Sequence, residues 1–222
     1  MHIKNLINTD FIPLVPSDTV SAAISKIEAW QAYNIPVIEP ATKKVVGTIH
    51  YGDLPEDLNE ETVLTDIRWQ PAVTRFETEH LFEAARFMIQ HQKKLLTVTD
   101  ENESFTGVIE RKRIFEALSD MLNITSSGSV ITVMMRQVDF TLAKIIHLIE
   151  SEGAKILGLT TEFLNDQGAF VNISIKLNLT DTSAVISSLN RYGYVANSET
   201  RDDFLHEDLS NRASELLRYL EL

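Results

Sequence analysis

The feature that most constrains this chain is an internal repeat in its first half. IPLVPSDTVSAAISKI, followed by IPVIEPATKKVVGTIHYGDL, lines up with PAVTRFETEHLFEAARFM, followed by LLTVTDENESFTGVIERKRIF. Gly47 matches Gly107 and Asp53 matches Arg113, each 60 positions on, while Val20 matches Leu81 and Ile27 matches Met88, each 61 positions on. One residue of slippage therefore falls between helix and strand. In copy one Ser17 is a candidate N-cap, and Val20, Ala23, Ile24 and Ile27 recur at i, i+3, i+4, i+7, one buried face of a helix ending near Asn34. The strands IPVIE and VVGTIH follow, joined by a turn at PATKK. In copy two Thr78 is the candidate cap, Leu81, Ala84, Ala85 and Met88 form the same face, and LLTVT and FTGVIE are the strands around Asp100-Glu101-Asn102. Helix, strand, strand, helix thus occurs twice, and units this small are expected to bury one another.

The order (β)-α-β-β-α, with Pro36-Val37 in the second strand and the run from Gly47 to Asp53-Leu54 before the last helix, resembles the CBS-domain repeat over about residues 5–122. Two copies form a Bateman module. The resemblance implies an adenine nucleotide (AMP, ADP, ATP) or S-adenosylmethionine in the cleft between copies, as a ligand and not as a required cofactor. It also implies that the aspartate of G-x-x-T-x-x-D binds the ribose hydroxyls and that the threonine helps to hold phosphate. Asp53 fills the aspartate position and His50 the threonine position; in copy two Glu110 and Arg113 stand there. A carboxylate accepts hydroxyl hydrogen bonds whereas arginine only donates, so the first site keeps its ribose acceptor and the second does not. Asp53 reads equally as a helix N-cap in Gly52-Asp53-Leu54-Pro55. Arg111 and Arg113, with Lys112 between them and Lys93-Lys94 upstream, read either as a phosphate anchor or as a solvated basic helix start.

After the polar run Asn123–Ser129 the pattern changes. Val130–Arg136 reads as a strand. Asp139 is a candidate cap for a helix with Leu142, Ile145, Ile146 and Ile149 on one face, ended by Gly153. Lys155–Leu164 and Ala169–Leu177 read as strands joined at Asn165-Asp166-Gln167-Gly168. A helix beginning at Thr180 or Asp181 buries Val185, Ile186 and Leu189, and Tyr194–Ala196 is a last strand. That order is β-α-β-β-α-β, the ferredoxin-like arrangement. With SEGAKILGL after its first helix and Leu142-Ala143-Lys144-Ile145 matching L-A-x-I, it resembles the ACT domain, which implies amino-acid effector binding or pairing. Phe140 stands where that family carries glycine. A CBS pair followed by an ACT domain resembles the acetoin utilisation protein family. The fold class expected is α+β: a CBS pair over 1–125 (copy one about 5–62, copy two about 63–122), an ACT-like domain over 129–199 and an amphipathic C-terminal helix over 200–222. In that helix Leu205, Leu209, Ala213, Leu216, Leu217 and Leu220 share a face, read as core packing or as a dimer seam.

Composition narrows the function. The net charge of −12 disfavours nucleic acid. No apolar run reaches the roughly 18 residues of a membrane helix. The absence of cysteine excludes disulfide and thiolate chemistry and fits a cytoplasmic protein. No phosphate-binding glycine loop or nucleophile elbow occurs. His80 and Glu83 have ligand-like i, i+3 spacing, but exposed helix chemistry accounts for them, and the six acids of Asp53–Asp66 read as a solvated connector. No metal site and no catalysis are expected. Two readings follow: a non-enzymatic regulatory sensor, forming a homodimer and acting on a metabolic enzyme, or a ligand-free dimerisation and docking module.

Overall fold

The computed structural model describes residues 1–54, 59–163 and 170–198. The chain divides into two compact units, 1–118 and 119–222.

In the first unit, α1 (Val20–Trp30) precedes β1 (Asn34–Ile38) and β2 (Val45–His50), and β3 (Thr74–Phe76), α2 (Leu81–Gln90), β4 (Leu95–Thr99), β5 (Phe105–Glu110) and α3 (Arg111–Met121) follow. The helices bury most of the faces their periodicity prescribes: Val20, Ala23 and Ile27 on α1, with Ile24 only half-buried, and Leu81, Ala84, Ala85 and Met88 on α2. Their caps lie elsewhere than expected. Thr19, not Ser17, accepts from the Ala22 N–H at 3.3 Å. His80, not Thr78, accepts from the Phe82 N–H through Nδ1 at 3.2 Å. Gln31, at φ 47°, ends α1 before Asn34.

Both hairpins are antiparallel and carry a register shift at the same place, Val37/Ile38 and Val98/Thr99. Ile38 then pairs with Val45, whereas Thr99 pairs with Phe105. The copy-two turn is one residue shorter, so the slip between the repeats lies in the turn between the strands and not between helix and strand. The copies also differ after their last strand. Copy two continues directly into α3, while copy one makes a 3-10 turn at Tyr51–Asp53 and shows no second α-helix among the described residues. Leu54 is extended (φ −77°, ψ 116°), as the residue before a proline should be. In copy two no proline follows β5, and the chain passes from Glu110 into helix without a break.

Each copy is completed by the segment that leads into the other. Ile3 and Leu6 are buried with Leu81, Met88, Leu96 and Ile109 of copy two. Leu64 is buried with Val20, Ile27, Ile35 and Ile49 of copy one. The backbone repeats the exchange: the Leu81 N–H donates to Met1 O and the Val20 N–H to Thr62 O, both at 2.9 Å. Gln70 then bridges Thr48 on β2, as Asn8 bridges Val108 on β5. These crossings explain the repeated glycine. A Cβ on Gly47 would stand 3.0 Å from two carbons of Trp69, and one on Gly107 would stand 2.5 Å from Asn8 O.

The second unit comprises β6 (Val130–Arg136), α4 (Leu142–Ser151), β7 (Ile156–Phe163), β8 (Phe170–Leu177), α5 (Ser183–Arg191) and β9 (Val195–Ser198). Its antiparallel sheet has the order β7-β8-β6-β9, so the expected β-α-β-β-α-β order is present. Ile131, Val133, Ile173 and Ile175 on one sheet face pack with Ile145 and Ile149 of α4 and Val185 and Leu189 of α5. Asp139 does not cap α4: its carboxylate pairs with Arg136 at 2.7 Å, and Thr141 stands at the cap. The polar run before β6 is no free connector. Asn123 Nδ2 donates to Leu157 O at 2.8 Å, and Ser129, only 3% exposed, donates its N–H to Leu179 O and its hydroxyl to Thr180 O. The hairpin turn 165–168 and the expected C-terminal helix lie outside the described residues. Among the described residues no helix is long and apolar enough to cross a membrane.

At the start of α5 the Asp181 carboxylate accepts from the Ser183 hydroxyl at 2.7 Å and from its N–H at 2.9 Å. These bonds hold its pKa below the ordinary carboxylate value, the hydroxyl contributing most. A depressed folded pKa means that the stabilisation is complete above the unfolded value and is lost as pH falls through the folded one. Ser183→Ala is expected to move the Asp181 titration upward in an NMR pH series; an unchanged midpoint would show that the hydroxyl does not hold the carboxylate.

Candidate functional site

The chemistry-bearing residues of copy one gather where the lead-in to copy two crosses β2. Strand pairing fixes the crossing: the Thr48 N–H donates to Gln70 O at 2.9 Å and the Gln70 N–H to Thr48 O at 3.0 Å. Trp69 is pinned by its indole N–H donating to Leu64 O at 2.7 Å. The turn after β2 swings Asp53 to the same place, where its Oδ2 accepts from Gln70 Nε2. Asp53, Arg68, Trp69, Gln70 and Pro71 line a cavity of about 320 Å³. Val46, Thr65 and Ile67 join Trp69, Gln70 and Pro71 around a neighbouring one of about 590 Å³. Both volumes fall in the range of small-molecule sites. The wall offers one carboxylate acceptor, one guanidinium, one amide and an indole, a set suited to a polar ligand with vicinal hydroxyls and a flat ring.

His50 does not point freely at a phosphate. Its Nδ1 accepts from the Gly52 N–H at 3.1 Å, capping the turn that carries Asp53. Its ring stacks on Tyr33 with centroids 6.4 Å apart, and Lys94 Nζ lies 4.9 Å from the centroid of Tyr33. The N-cap reading of Asp53 finds no described helix to cap.

Arg111 and Arg113 line neither cavity. Arg111 donates from Nε and Nη2 to Lys93 O at 2.9 and 2.6 Å, and Arg113 donates to Glu116 Oε2 at 2.9 Å. The cation that lines the same cavity as Asp53 is Arg68. Sequence reasoning missed Arg68, Trp69 and Gln70. Their signal was position: they precede copy two much as Asn8 precedes copy one, but only the exchange of lead-in segments turns that position into a wall of copy one's site. His80 and Glu83 do not converge on a metal, since His80 caps α2 and Glu83 pairs with Arg86. Among the described residues no group of three or more potential ligands is assembled.

This architecture, two intertwined β-hairpin units with a carboxylate at their crossing, defines a tandem repeat module. The chain belongs to the CBS-domain family, whose model matches it twice, over residues 3–58 and 65–120. Among curated proteins the UPF0053 protein MG146 homolog of Mycoplasma pneumoniae is 32% identical over 104 residues, 46% of this chain and 24% of that protein. The chain thus spans about a quarter of that relative's length. Similar solved structures include a CBS domain pair/ACT domain protein of Thermotoga maritima, at 23% identity and a TM-score of 0.49 over 55% of this chain and 99% of that one. CBSX2 in complex with AMP aligns at 20% identity and a TM-score of 0.45, over 54% of this chain and 96% of that one.

Proposed function

We propose that this chain is a non-enzymatic regulatory protein that senses an adenosine-containing ligand, an adenine nucleotide or S-adenosylmethionine, at Asp53. One observation carries the reading: Asp53 and Arg68 both line a cavity of about 320 Å³. The carboxylate accepts from ribose hydroxyls, and the guanidinium offers an opposite charge to phosphate or carboxylate. In this reading the second unit acts as an ACT-like effector or pairing domain, the chain works as a cytoplasmic homodimer regulating a metabolic enzyme, and its domain order follows that of the acetoin utilisation family. Ligand binding changes output only through unequal affinity for two states of the protein.

A thermal-shift series with AMP, ADP, ATP and S-adenosylmethionine tests the reading. A site filled at 100 times its dissociation constant adds about 2.7 kcal/mol of stability, a shift of several degrees for a domain of this size. A melting curve unmoved by all four at millimolar concentration would remove the sensor.

A second reading, a ligand-free docking module, draws on the bond from Gln70 to Asp53 and on the pairing of Arg113 with Glu116, which satisfy both candidate polar groups internally. Under it none of the four ligands moves the melting curve, while sedimentation still returns a dimer.

A further inference from the structure

Copy two carries a second cluster of charges. Glu83, Arg86, Phe87 and Gln90 recur at i, i+3, i+4, i+7 and so share one face of α2. Together with Arg75 of β3, Glu79 and His91, they line a cavity of about 270 Å³. None of these residues lines either cavity described above. The charges of the cluster are unevenly satisfied. Glu83 and Arg86 bond one another directly. Arg75 does not bond Glu79 in this way: its Nη1 stands 3.6 Å from Glu79 Oε1, beyond hydrogen-bond length. Arg75 Nε is buried with no hydrogen-bond partner among the described residues. The guanidinium is held instead over the Phe87 ring, with Cζ 4.0 Å from the centroid, and the His91 ring lies 4.4 Å from the same centroid. A buried donor without an acceptor is costly, and with Nε enclosed it is the Nη end of Arg75 that remains to meet a ligand.

We propose that this cavity binds the head group of a free α-amino acid, with the ligand's carboxylate on Arg75 and its ammonium on Glu79. The charge balance selects the class. Arg75 and Arg86 face Glu79 and Glu83 around the cavity, so its wall carries no net charge when His91 is neutral. A lone anion would meet the two carboxylates, and a lone cation the two guanidinium groups. A zwitterion sets each of its charges against the opposite one. The spacing selects the α form, because Arg75 and Glu79 stand only 3.6 Å apart and an α-amino acid carries both of its charged groups on one carbon. Seated there, the ligand closes a ring of four alternating charges, and its carboxylate accepts paired N–H bonds from the guanidinium fork. A volume of about 270 Å³ lies just under the range of drug-sized sites, which suits a ligand this small.

The test is read at Arg75 itself. The common α-amino acids are titrated one at a time into the full chain while the Arg75 Nε–H and His91 ring signals are followed by NMR. At least one amino acid is expected to shift both signals saturably. For the tightest of them, the decarboxylated amine and the deaminated acid are each expected to bind at least about tenfold more weakly, since each leaves one protein charge without its partner. In calorimetry Arg75→Gln and Glu79→Gln are each expected to lower the affinity about tenfold or more, the loss of a hydrogen bond between charged groups. Should Arg75→Gln fail to fold, wild type and Glu79→Gln decide alone. A deaminated acid that binds as tightly as its parent would overturn the proposal in favour of a simple anion site. An amino acid that binds without moving the Arg75 signal would place the ligand elsewhere on the chain and overturn it too. The absence of a saturable shift with every amino acid would do the same.

Discussion

Gly107→Ala is expected to destabilise the first unit by about 3 kcal/mol or more. The added methyl would stand 2.5 Å from Asn8 O and 2.5 Å from Ile7 Cγ2, and the backbone there has φ +147°, outside the regions open to alanine. Overpacking of this kind typically costs about 1–3 kcal/mol, and a residue held in a glycine-only conformation adds a similar amount. Asn8 has little room to retreat, because the Asn8 N–H donates to Val108 O at 2.8 Å and its neighbours Ile3 and Leu6 are anchored in the copy-two core. Gly47→Ala is expected to cost less. Its added carbon meets the Trp69 side chain and Gln70 O at 3.0–3.3 Å, and its backbone is not in the left-handed region. Gly153→Ala isolates the conformational part, since its φ is +80° and nothing lies within 4 Å of the new carbon. Urea unfolding of the three variants should rank Gly107 as the most damaging. A Gly107→Ala protein within about 1 kcal/mol of wild type would mean that the residues around Asn8 do not lie on β5.

That glycine also shows how much of the molecule was legible in the sequence. Aligning Gly47 with Gly107 located both hairpins, and β2 and β5 run over the residues their patterns prescribed. Periodicity found the buried faces of α1 and α2 because apolar spacing records burial directly. Caps were less legible: Ser17, Asp18 and Thr19 all have side chains able to close a helix, and only backbone geometry selects among them; a histidine cap such as His80 lies outside the usual set. The extended Leu54 was written in the proline that follows it, yet the symmetry of the repeat argued for a helix start there. The exchange of lead-in segments was not legible at all. A repeat fixes spacing but not which copy a connecting segment completes, so Ile3 and Leu64, 61 positions apart and both fully buried, gave no sign of having crossed over. The wall of the candidate site followed the same fate. Asp53 stood out because family resemblance points to it, whereas Arg68, Trp69 and Gln70 reach the site only through the crossing.

Asp53→Asn is expected to lower affinity for an adenosine ligand about ten- to hundredfold. The carboxylate accepts two hydroxyl hydrogen bonds, while an amide keeps one acceptor oxygen and turns two donors toward the ribose. Hydrogen bonds to a charged group contribute roughly 1.5–3 kcal/mol, and each 1.4 kcal/mol is a factor of ten. Part of that loss is offset in advance, because in the free protein Gln70 Nε2 already donates to Asp53 and ribose must displace it. Gln70→Ala is therefore expected to strengthen binding when Asp53 is intact and to change little when it is combined with Asp53→Asn. The Asp53→Asn substitution should spare stability, since Asp53 is exposed, caps no described helix, and leaves Gln70 an oxygen to meet. Calorimetry on wild type, both single variants and the double variant separates the outcomes. Equal affinities for wild type and Asp53→Asn would take the ribose away from Asp53. Weaker binding by Gln70→Ala would make the glutamine part of the ligand's own contact surface instead of its competitor. No heat from wild type with any adenosine ligand would leave the docking module as the account of this fold.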